Sequence, residues 1–424
     1  MRRRTRLETF VRILCHLFTG ACLALTAVIL AIRLCRPEPF DKRPAAPRPR
    51  LMRIFLWTAA AAIGSRIALL GFCALCTDVD GFSGLVNLWN HWDAPHYMDL
   101  ARYGYVDDRT SDQWLFIVFF PLYPWLVGLV SRLGVSTEAA GMLVSWLALC
   151  GAAFLLYLLV LDDYGPCAAR RAVKYMLIFP VTVFLGAQYT ESLFLLVSLA
   201  CLYAIRKKRW ALAGAAGLLA ALTRIHGILM AAVFFVEFLR DRGLLGPGWR
   251  ERARALRPRA LQSGLWIFLI PLGTAIYIML NQIVYGDPLM FLKIQANHWG
   301  QTTRFLSGVL FSTLRNAWTD DNTMTVLYLW LFQAVTMVAA LAAMPAMVRR
   351  MRASYGLLMA LYITISFSAS MLLSAARYMM GLAVLYPALA AMTRKRWADW
   401  TLTAVFLVLA LIMARGFALY RMVL

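Results

Sequence analysis

Long apolar runs separated by short polar segments dominate the chain. The runs are 15 to 24 residues long, and 62% of the 424 residues are hydrophobic while only 15% are charged. In a bilayer only helices and closed barrels satisfy their backbone hydrogen bonds, and about 20 apolar residues make one helical crossing. The pattern therefore predicts an all-α, multi-spanning membrane protein and excludes a soluble globular enzyme.

The positive charge of the chain is confined to short clusters between the apolar runs. Lys and Arg outnumber Asp and Glu by 43 to 21, which gives a formal net charge of +22. In a soluble protein this surplus would suggest a nucleic-acid partner, but here it follows the positive-inside rule, so no nucleic acid is expected. We expect one cytoplasmic face to hold the five clusters at 170–174, 206–209, 240–259, 349–352 and 394–396.

Consecutive clusters on one face require an even number of crossings between them, so the chain is predicted to form hairpins with outward tips. The tips carry polar motifs and lie at 188–192, 223–227, 285–323 and 374–378. Arms such as 189–205 and 210–223 have about 15 residues, too few to span. Their tips should therefore surround a recessed polar cavity on the outer side, because non-helical backbone at that depth must be buried in protein or line a cavity.

The front of the transmembrane domain is predicted by the same rule. Residues 54–76 cross outward, 77–113 form an acidic outer loop, and 137–161 return. Residues 114–133, with Pro121 and Pro124, are left as a re-entrant or interfacial helix on the outer side. This scheme gives about eleven crossings after Met52.

The first 53 residues form a basic leader that we separate from the transmembrane domain at 54–424. Residues 13–32 are apolar enough to span, but both flanks are basic. Three interpretations stay open: an interfacial or hairpin segment, a span that breaks the charge rule, or a reading frame that truly starts at Met52. No function is assigned to this leader.

The acidic outer loop contains the motif NHWDAPHYMDLARYGY at 90–105. Helical spacing places Asp93, His96 and Tyr97 on one face. One interpretation is a capped interfacial helix with Trp and Tyr in the aromatic belt. The other makes Asp93 a general base that removes a proton from an acceptor hydroxyl, with His96 orienting it and Tyr97 shaping the site.

Four arginines lie inside or beside apolar segments, where a charge requires a partner. Arg224 and Arg377 are on hairpin tips, and a guanidinium suits phosphate recognition, so these two are candidates for binding a lipid phosphate. The alternatives are an internal pair such as Arg224 with Glu191, and snorkelling of Arg66 or Arg415.

A third polar segment, YGDPLMFLKIQANHW at 285–299, has a predicted helix start at Asp287 and Pro288. Capping explains Asp287, while Gln295, His298 and Trp299 are candidates for lining a sugar site. The chain has no phosphate-binding glycine loop, GxSxG, HExxH or zinc-type Cys/His spacing, so neither a metal ion nor a cofactor is predicted. The eight cysteines show no disulfide framework.

Six sequence blocks, taken in order, resemble the phosphatidylinositol-glycan class V type mannosyltransferases, which are GPI mannosyltransferase 2 and its bacterial relatives. The blocks are WDAPHYMDLARYGY (92–105), FFPLYPWLVGL (119–129), IFPVTVFLGAQYTESLFLLVSLACLYA (178–204), ALTRIHGIL (221–229), GDPLMFLKIQANHW (286–299) and ARYMMGLAVLYP (376–387). The resemblance implies a GT-C fold and a metal-independent, inverting transfer of mannose from a polyprenyl-phosphate donor at the outer membrane face. It also implies Asp93 as the base and Arg224 and Arg377 at the donor phosphate. Ile225 and His226 depart from the family's TR motif, and the acceptor does not carry over.

The sequence therefore predicts an integral-membrane mannosyltransferase that uses a polyprenyl-phosphate sugar donor and a lipid or glycan acceptor. The expected location is a bacterial inner membrane with the site on the periplasmic side, or the endoplasmic reticulum membrane in a eukaryote. The alternatives are a transporter or flippase of lipid-linked sugars and a structural subunit of a complex. The predicted cavity residues are Trp92, Tyr189, Glu191, His226, Asp287, Gln295, His298, Trp299 and Tyr378.

Overall fold

The computed structural model describes residues 2–40, 50–106, 112–246, 248–255 and 261–421. Parts of the predicted linker, acidic loop and basic clusters lie outside these residues, at 41–49, 107–111 and 256–260. Within the described residues the regular elements are helices, with one isolated β-bridge between Thr303 and Ala369. The α-helices are α1 (Arg2–Leu34), α2 (Leu51–Leu75), α3 (Gly81–Asn87), α4 (Asp93–Tyr103), α5 (Leu122–Ser131), α6 (Thr137–Tyr164), α7 (Pro166–Leu177), α8 (Glu191–Arg206), α9 (Trp210–Thr223), α10 (Met230–Asp241), α11 (Trp249–Ala255), α12 (Leu269–Tyr285), α13 (Met290–Trp299), α14 (Leu306–Thr319), α15 (Thr323–Val348, which contains a π-helical stretch at Val326–Leu331), α16 (Ala353–Ser366), α17 (Ala375–Gly381), α18 (Leu385–Met392) and α19 (Arg396–Ala418). The described ranges also contain four 3-10 helices, at Asp112–Val118, Thr182–Leu185, Ile225–Leu229 and Ser263–Phe268.

Six of the described helices are long and apolar enough to cross a membrane, or seven if the bent pair of α17 and α18 counts as one span. The protein is therefore a multi-pass membrane protein, as predicted. The count of eleven crossings is not confirmed. Several predicted arms form helices of only 14 to 16 residues, namely α8, α9 and α16, and at 1.5 Å per residue these are too short to cross the hydrocarbon core alone.

Helix α8 and one side of α9 are nevertheless buried inside the molecule. Helix α8 has 16 residues and packs between α6 and α9, while α9 has 14 residues and packs on α12. Glycines permit this approach: a Cβ at Gly214 would lie 2.3 Å from the carbonyl oxygen of Trp266, and a Cβ at Gly273 would lie 2.4 Å from that of Leu218. Small residues let membrane helices pack with their backbones close together.

The segment predicted to be non-spanning, 114–133, forms the 3-10 helix Asp112–Val118 and the 10-residue helix α5. Pro121 immediately precedes α5, and Pro124 lies in its first turn, where a missing backbone N–H breaks no helical hydrogen bond. Helix α5 packs against α4 and α6 and so carries residues 118–120 to the mouth of the polar region described below.

The apolar residues 13–32 of the leader lie within the single helix α1, so they do not form a hairpin. Helix α1 is long enough to span and packs against α14, α15 and α16. After its end, the buried carboxylate of Glu38 accepts a hydrogen bond from the Ala353 amide (2.6 Å) and lies 3.5 Å from Arg33 and 3.4 Å from Arg240. The leader is therefore fastened to the start of α16 by buried ionic contacts.

The two apolar-segment arginines outside the hairpin tips differ from each other. Arg66 is 1% exposed, and its guanidinium donates to the carbonyl of Leu177 (2.8 Å) and to the Thr182 hydroxyl (2.9 Å) and carbonyl. It braces α2 against the segment after α7 and does not snorkel. Arg415 is exposed near the end of α19.

Candidate active site

Four charged side chains from distant parts of the chain form one ionic network. Nη1 of Arg377 donates a hydrogen bond to Oδ2 of Asp93 at 2.8 Å, and Nε of Arg377 donates a hydrogen bond to Oε1 of Glu191. The same Oε1 accepts a hydrogen bond from Arg224 at 2.7 Å. The order Asp93, Arg377, Glu191, Arg224 thus alternates acid and base, and it joins three of the predicted outer hairpin tips to the outer loop.

Helix ends bring these side chains together. Asp93 is the first residue of α4, Glu191 is the first residue of α8, and Arg224 follows the last residue of α9. Arg377 lies in the short helix α17, within the bent pair. Because the apolar arms are short, their polar ends meet inside the protein, and a charge buried there is stable only with a partner.

Tyr189 fixes the backbone just before the network. Its hydroxyl donates to the carbonyl oxygen of His91 at 2.6 Å and accepts from the amide of Asp93 at 3.2 Å. Between these two residues Trp92 has a φ of +58°, in the region that non-glycine residues rarely adopt because of steric strain. Tyr189 therefore holds a strained turn that sets the position of Asp93.

The ring of Tyr189 also supports Arg377. The guanidinium lies 4.7 Å from the centre of this ring and 5.2 Å from that of Phe184, a cation–π arrangement that stabilises a charge with little access to water. Tyr189 itself is fully buried. The sequence predicted it as a cavity residue, whereas the structure places it behind the cavity wall.

A cavity of about 480 Å³ opens beside the network. Ten of the predicted residues line it, and they are Trp92, Asp93, His96, Tyr97, Arg224, His226, Gln295, Trp299, Arg377 and Tyr378. Glu191 lies behind the arginines with a side chain that is 0% exposed, whereas the Asp93 side chain is 36% exposed. Four predicted residues therefore lie outside the lining: Tyr189 and Glu191 behind it, and Asp287 and His298 elsewhere.

Asp287 and His298 have local contacts of their own. Asp287 pairs with Lys293 and accepts a hydrogen bond from the amide of Leu289 at 3.0 Å. The contact with Lys293, and to a smaller extent that with Leu289, holds the pKa of Asp287 below its usual value. Helix α13 begins at Met290, three residues after Asp287, so the predicted start was too early. His298 is exposed and contacts the ring of Trp114 at 6.2 Å.

His96 and Tyr97 share the face of α4 that the spacing predicted. The ring centres of His96 and Phe119 are 5.8 Å apart, and those of Tyr97 and Phe119 are 4.7 Å apart. Tyr97 also packs on Tyr189, at 6.2 Å. Both residues therefore border the cavity beside Asp93, with an aromatic wall at their back.

His226, the departure from the TR motif, is part of the cavity wall. Its Nε2 lies 3.0 Å from the hydroxyl oxygen of Ser366, and its ring lies 4.5 Å from that of Tyr362 and 5.5 Å from that of Tyr378. Nδ1 is buried and has no hydrogen-bond partner among the residues that the structure describes.

Sequence reasoning missed eight lining residues, which are Val118, Phe119, Phe120, Thr223, Ile225, Gln301, Leu373 and Ser374. Most of them belong to motifs that were identified, since 119–120 open the FFPLYP block and Thr223 and Ser374 begin their polar tips. Gln301 gave no signal, because it reaches the cavity only through the left-handed turn at Gly300 that ends α13. Among the described residues no group of three or more His, Cys, Asp or Glu side chains is arranged to hold a metal ion.

Comparisons with known proteins show what the chain resembles in sequence and in fold. No family model matches the chain. It is 27% identical over 137 residues to human GPI alpha-1,6-mannosyltransferase 2, a match that covers 30% of this chain and 27% of the human protein. The mouse protein of the same name is 28% identical over 158 residues, which are 34% of this chain and 31% of the mouse protein. The matched region thus spans about a third or less of these relatives.

A solved structure extends the likeness across the fold. ArnT from Cupriavidus metallidurans, bound to undecaprenyl phosphate, superimposes with a TM-score of 0.50 at 19% sequence identity and covers 85% of this chain and 63% of the ArnT chain. At this identity the comparison establishes the fold and not the activity. The chain is thus a distant sequence relative of the GPI alpha-1,6-mannosyltransferase 2 proteins, and it has the GT-C-like fold of ArnT.

Proposed function

We propose that the protein is an integral-membrane glycosyltransferase that transfers mannose from a polyprenyl-phosphate mannose donor to a hydroxyl group of a lipid-linked or glycan acceptor. The observation that carries this proposal is the joint presence of Asp93, Arg224 and Arg377 on one cavity wall. A carboxylate and two guanidinium groups are the groups that such a transfer requires. The likeness to mannosyltransferases and to the ArnT fold supports the choice of reaction.

Each residue has a defined chemical task in this proposal. Asp93 accepts the proton of the acceptor hydroxyl as its oxygen attacks the anomeric carbon and the bond from that carbon to the phosphate oxygen breaks. The electron pair leaves with the polyprenyl phosphate, and Arg224 and Arg377 stabilise its charge. Attack opposite the leaving group inverts the anomeric centre. Oδ1 of Asp93 has no hydrogen-bond partner among the described residues, so it is the oxygen available to the hydroxyl.

The remaining lining residues fit a sugar. Gln295 and Gln301 offer amide donors and acceptors, and Trp299 offers a flat apolar surface. Tyr97 and His96 shape the side next to the base. The transmembrane domain at 54–424 would carry all of these groups, with no metal ion among its requirements.

The positive-inside rule supports the outer face as the side of reaction. The basic clusters at 206–209 and 394–396 each follow a hairpin arm that begins at a polar tip, so each cluster is at the opposite end of its arm from the tip. We therefore propose a periplasmic site in a bacterial inner membrane, or a luminal site in the endoplasmic reticulum. The donor lipid would enter sideways between helices, and the polyprenyl chain would stay in the bilayer.

The decisive experiment measures sugar transfer in membranes that contain the wild-type protein or Asp93→Asn. The membranes receive labelled polyprenyl-phosphate mannose and the native lipid pool, and protein abundance is matched. We expect a labelled product that falls by at least about 100-fold in the variant, since general acid–base catalysis contributes factors of that order. Asp99→Asn is the matched control. Asp99 is on the same helix, does not line the cavity, and pairs with Arg102 at a distance of 3.2 Å. Full activity of Asp93→Asn would exclude Asp93 as the base.

A further inference from the structure

The ionic network is already electrically balanced before any substrate arrives. Two carboxylates, on Asp93 and Glu191, match two guanidinium groups, on Arg224 and Arg377. A phosphate that binds to these arginines therefore adds a negative charge to a neutral, largely buried cluster. Such an uncompensated charge is costly in a medium that excludes water. One of the two carboxylates has to move away for the phosphate to bind favourably.

The burial of the two carboxylates decides which one moves. The side chain of Glu191 is 0% exposed, and its Oε1 accepts hydrogen bonds from both arginines. The side chain of Asp93 is 36% exposed, borders the cavity, and pairs with Arg377 alone among the residues that the structure describes. Moving Asp93 exposes a carboxylate to the cavity, whereas moving Glu191 would strand a charge in the protein interior. Asp93 is therefore the replaceable partner.

We propose that the donor phosphate replaces Asp93 on Arg377, and that this exchange releases Asp93 to act as the base. The inference rests on the proposed function and adds an order of events to it. In the free protein Arg377 holds Oδ2 of Asp93. When the phosphate takes that position, Glu191 keeps both arginines in place as a positioning residue, and Asp93 turns toward the acceptor hydroxyl.

The exchange makes the donor bind productively before the acceptor. An acceptor that arrives first meets a carboxylate whose Oδ2 is held by the guanidinium of Arg377, so the carboxylate is not free to turn toward the acceptor hydroxyl. After transfer, the proton of the acceptor hydroxyl is on Asp93 and the polyprenyl phosphate has the electron pair of the broken bond. Release of that product lets Asp93 lose its proton to water and pair with Arg377 again.

The exchange predicts that removing the charge of Asp93 strengthens phosphate binding. The test measures the Kd of a short-chain polyprenyl phosphate for the full-length protein in lipid nanodiscs. Asp93→Asn should bind about tenfold more tightly than the wild type, at the lower end of the coupling found for close charge pairs. Asp93→Ser should bind more tightly as well, and Asp99→Asn should match the wild type. Arg377→Gln should bind more weakly than the wild type.

The outcomes separate this inference from the proposed function. If Asp93→Asn and Asp93→Ser bind polyprenyl phosphate with the affinity of the wild type or more weakly, the exchange is wrong, and sugar transfer by the wild type would leave the proposed function intact. If neither the wild type nor the variants bind polyprenyl phosphate, the donor assignment fails and the exchange fails with it. Thermal unfolding of each variant confirms that the comparison is made between folded proteins.

Discussion

Replacing Glu191 with Gln should cost more stability than any comparable change of an acidic residue nearer the surface. The variant removes the negative charge between two buried guanidinium groups while keeping nearly the same volume. Arg377 keeps Asp93 as a partner, but Arg224, whose side chain is 12% exposed, loses its carboxylate. Breaking a buried pair by removing one partner costs about 3 to 5 kcal/mol, because the other charge is left uncompensated.

The assay is the thermal or denaturant-induced unfolding of the purified protein in one detergent. Glu138→Gln is the control, because Glu138 pairs with an Arg102 side chain that is 36% exposed, and partly exposed pairs contribute only about 0 to 1 kcal/mol. The double variant Glu191→Gln with Arg224→Gln restores neutrality, and it should recover part of the lost stability. Non-additivity of this kind is the signature of a direct interaction.

Two results would refute this reasoning. A loss below about 1 kcal/mol in Glu191→Gln would mean that the carboxylate is not required to compensate the buried arginines. Strictly additive effects in the double variant would mean that Glu191 and Arg224 stabilise the protein independently, in spite of the 2.7 Å contact between them.

Three other changes test how the site is held. Tyr189→Phe removes the hydroxyl that hydrogen-bonds to His91 and Asp93. It should lower kcat about tenfold with unchanged protein abundance, since one or two hydrogen bonds of about 1 kcal/mol are lost. An unchanged kcat would mean that these hydrogen bonds do not position Asp93. Tyr420 supports the same turn, because its ring centre lies 3.9 Å from that of His91. Tyr420→Ala should lower kcat with little change in KM, whereas Tyr420→Phe should keep the kcat of the wild type. An equal loss of kcat in both variants would contradict a role for the ring. Glu38→Gln should lower the unfolding midpoint, because it weakens the buried contacts of the leader, but it should leave the donor KM unchanged; a raised KM would instead link the leader to the site.

The open choice between a phosphate-binding and a paired Arg224 shows what a sequence leaves undecided. The structure contains the pair with Glu191 that was one alternative, and it also places Arg224 on the cavity wall. The two interpretations were therefore not exclusive. Glu191 begins α8 and Arg224 follows α9, so the two residues are 33 positions apart in the sequence. Hydropathy does not indicate whether residues so far apart in the sequence are in contact in the folded protein.

Asp287 and His298 show the reverse case. Both belong to a polar block on a predicted outer loop, together with Gln295 and Trp299, which do line the cavity. The block forms the short helix α13, and one face of a helix cannot present every polar side chain to one cavity. Both His298 and Trp299 were candidates for the sugar site. Trp299 lines the cavity and His298 does not, and the packing of α13 on the segment Asp112–Val118 decides between them.

Local patterns in the sequence were enough to predict that the protein lies in a lipid bilayer and which residue types occupy its polar positions. Apolar runs and basic clusters are local properties, and because a lipid environment forces backbone groups into helices, they suffice to predict an all-α, multi-pass chain with polar groups at the hairpin tips. Tertiary contacts decided how many helices reach span length, that residues 13–32 belong to one packed helix, and that Asp93, Arg377, Glu191 and Arg224 form one network. These features depend on contacts between residues as far apart as Glu38 and Ala353, which are separated by 315 positions. Burial and charge compensation over such separations exist only in the folded chain.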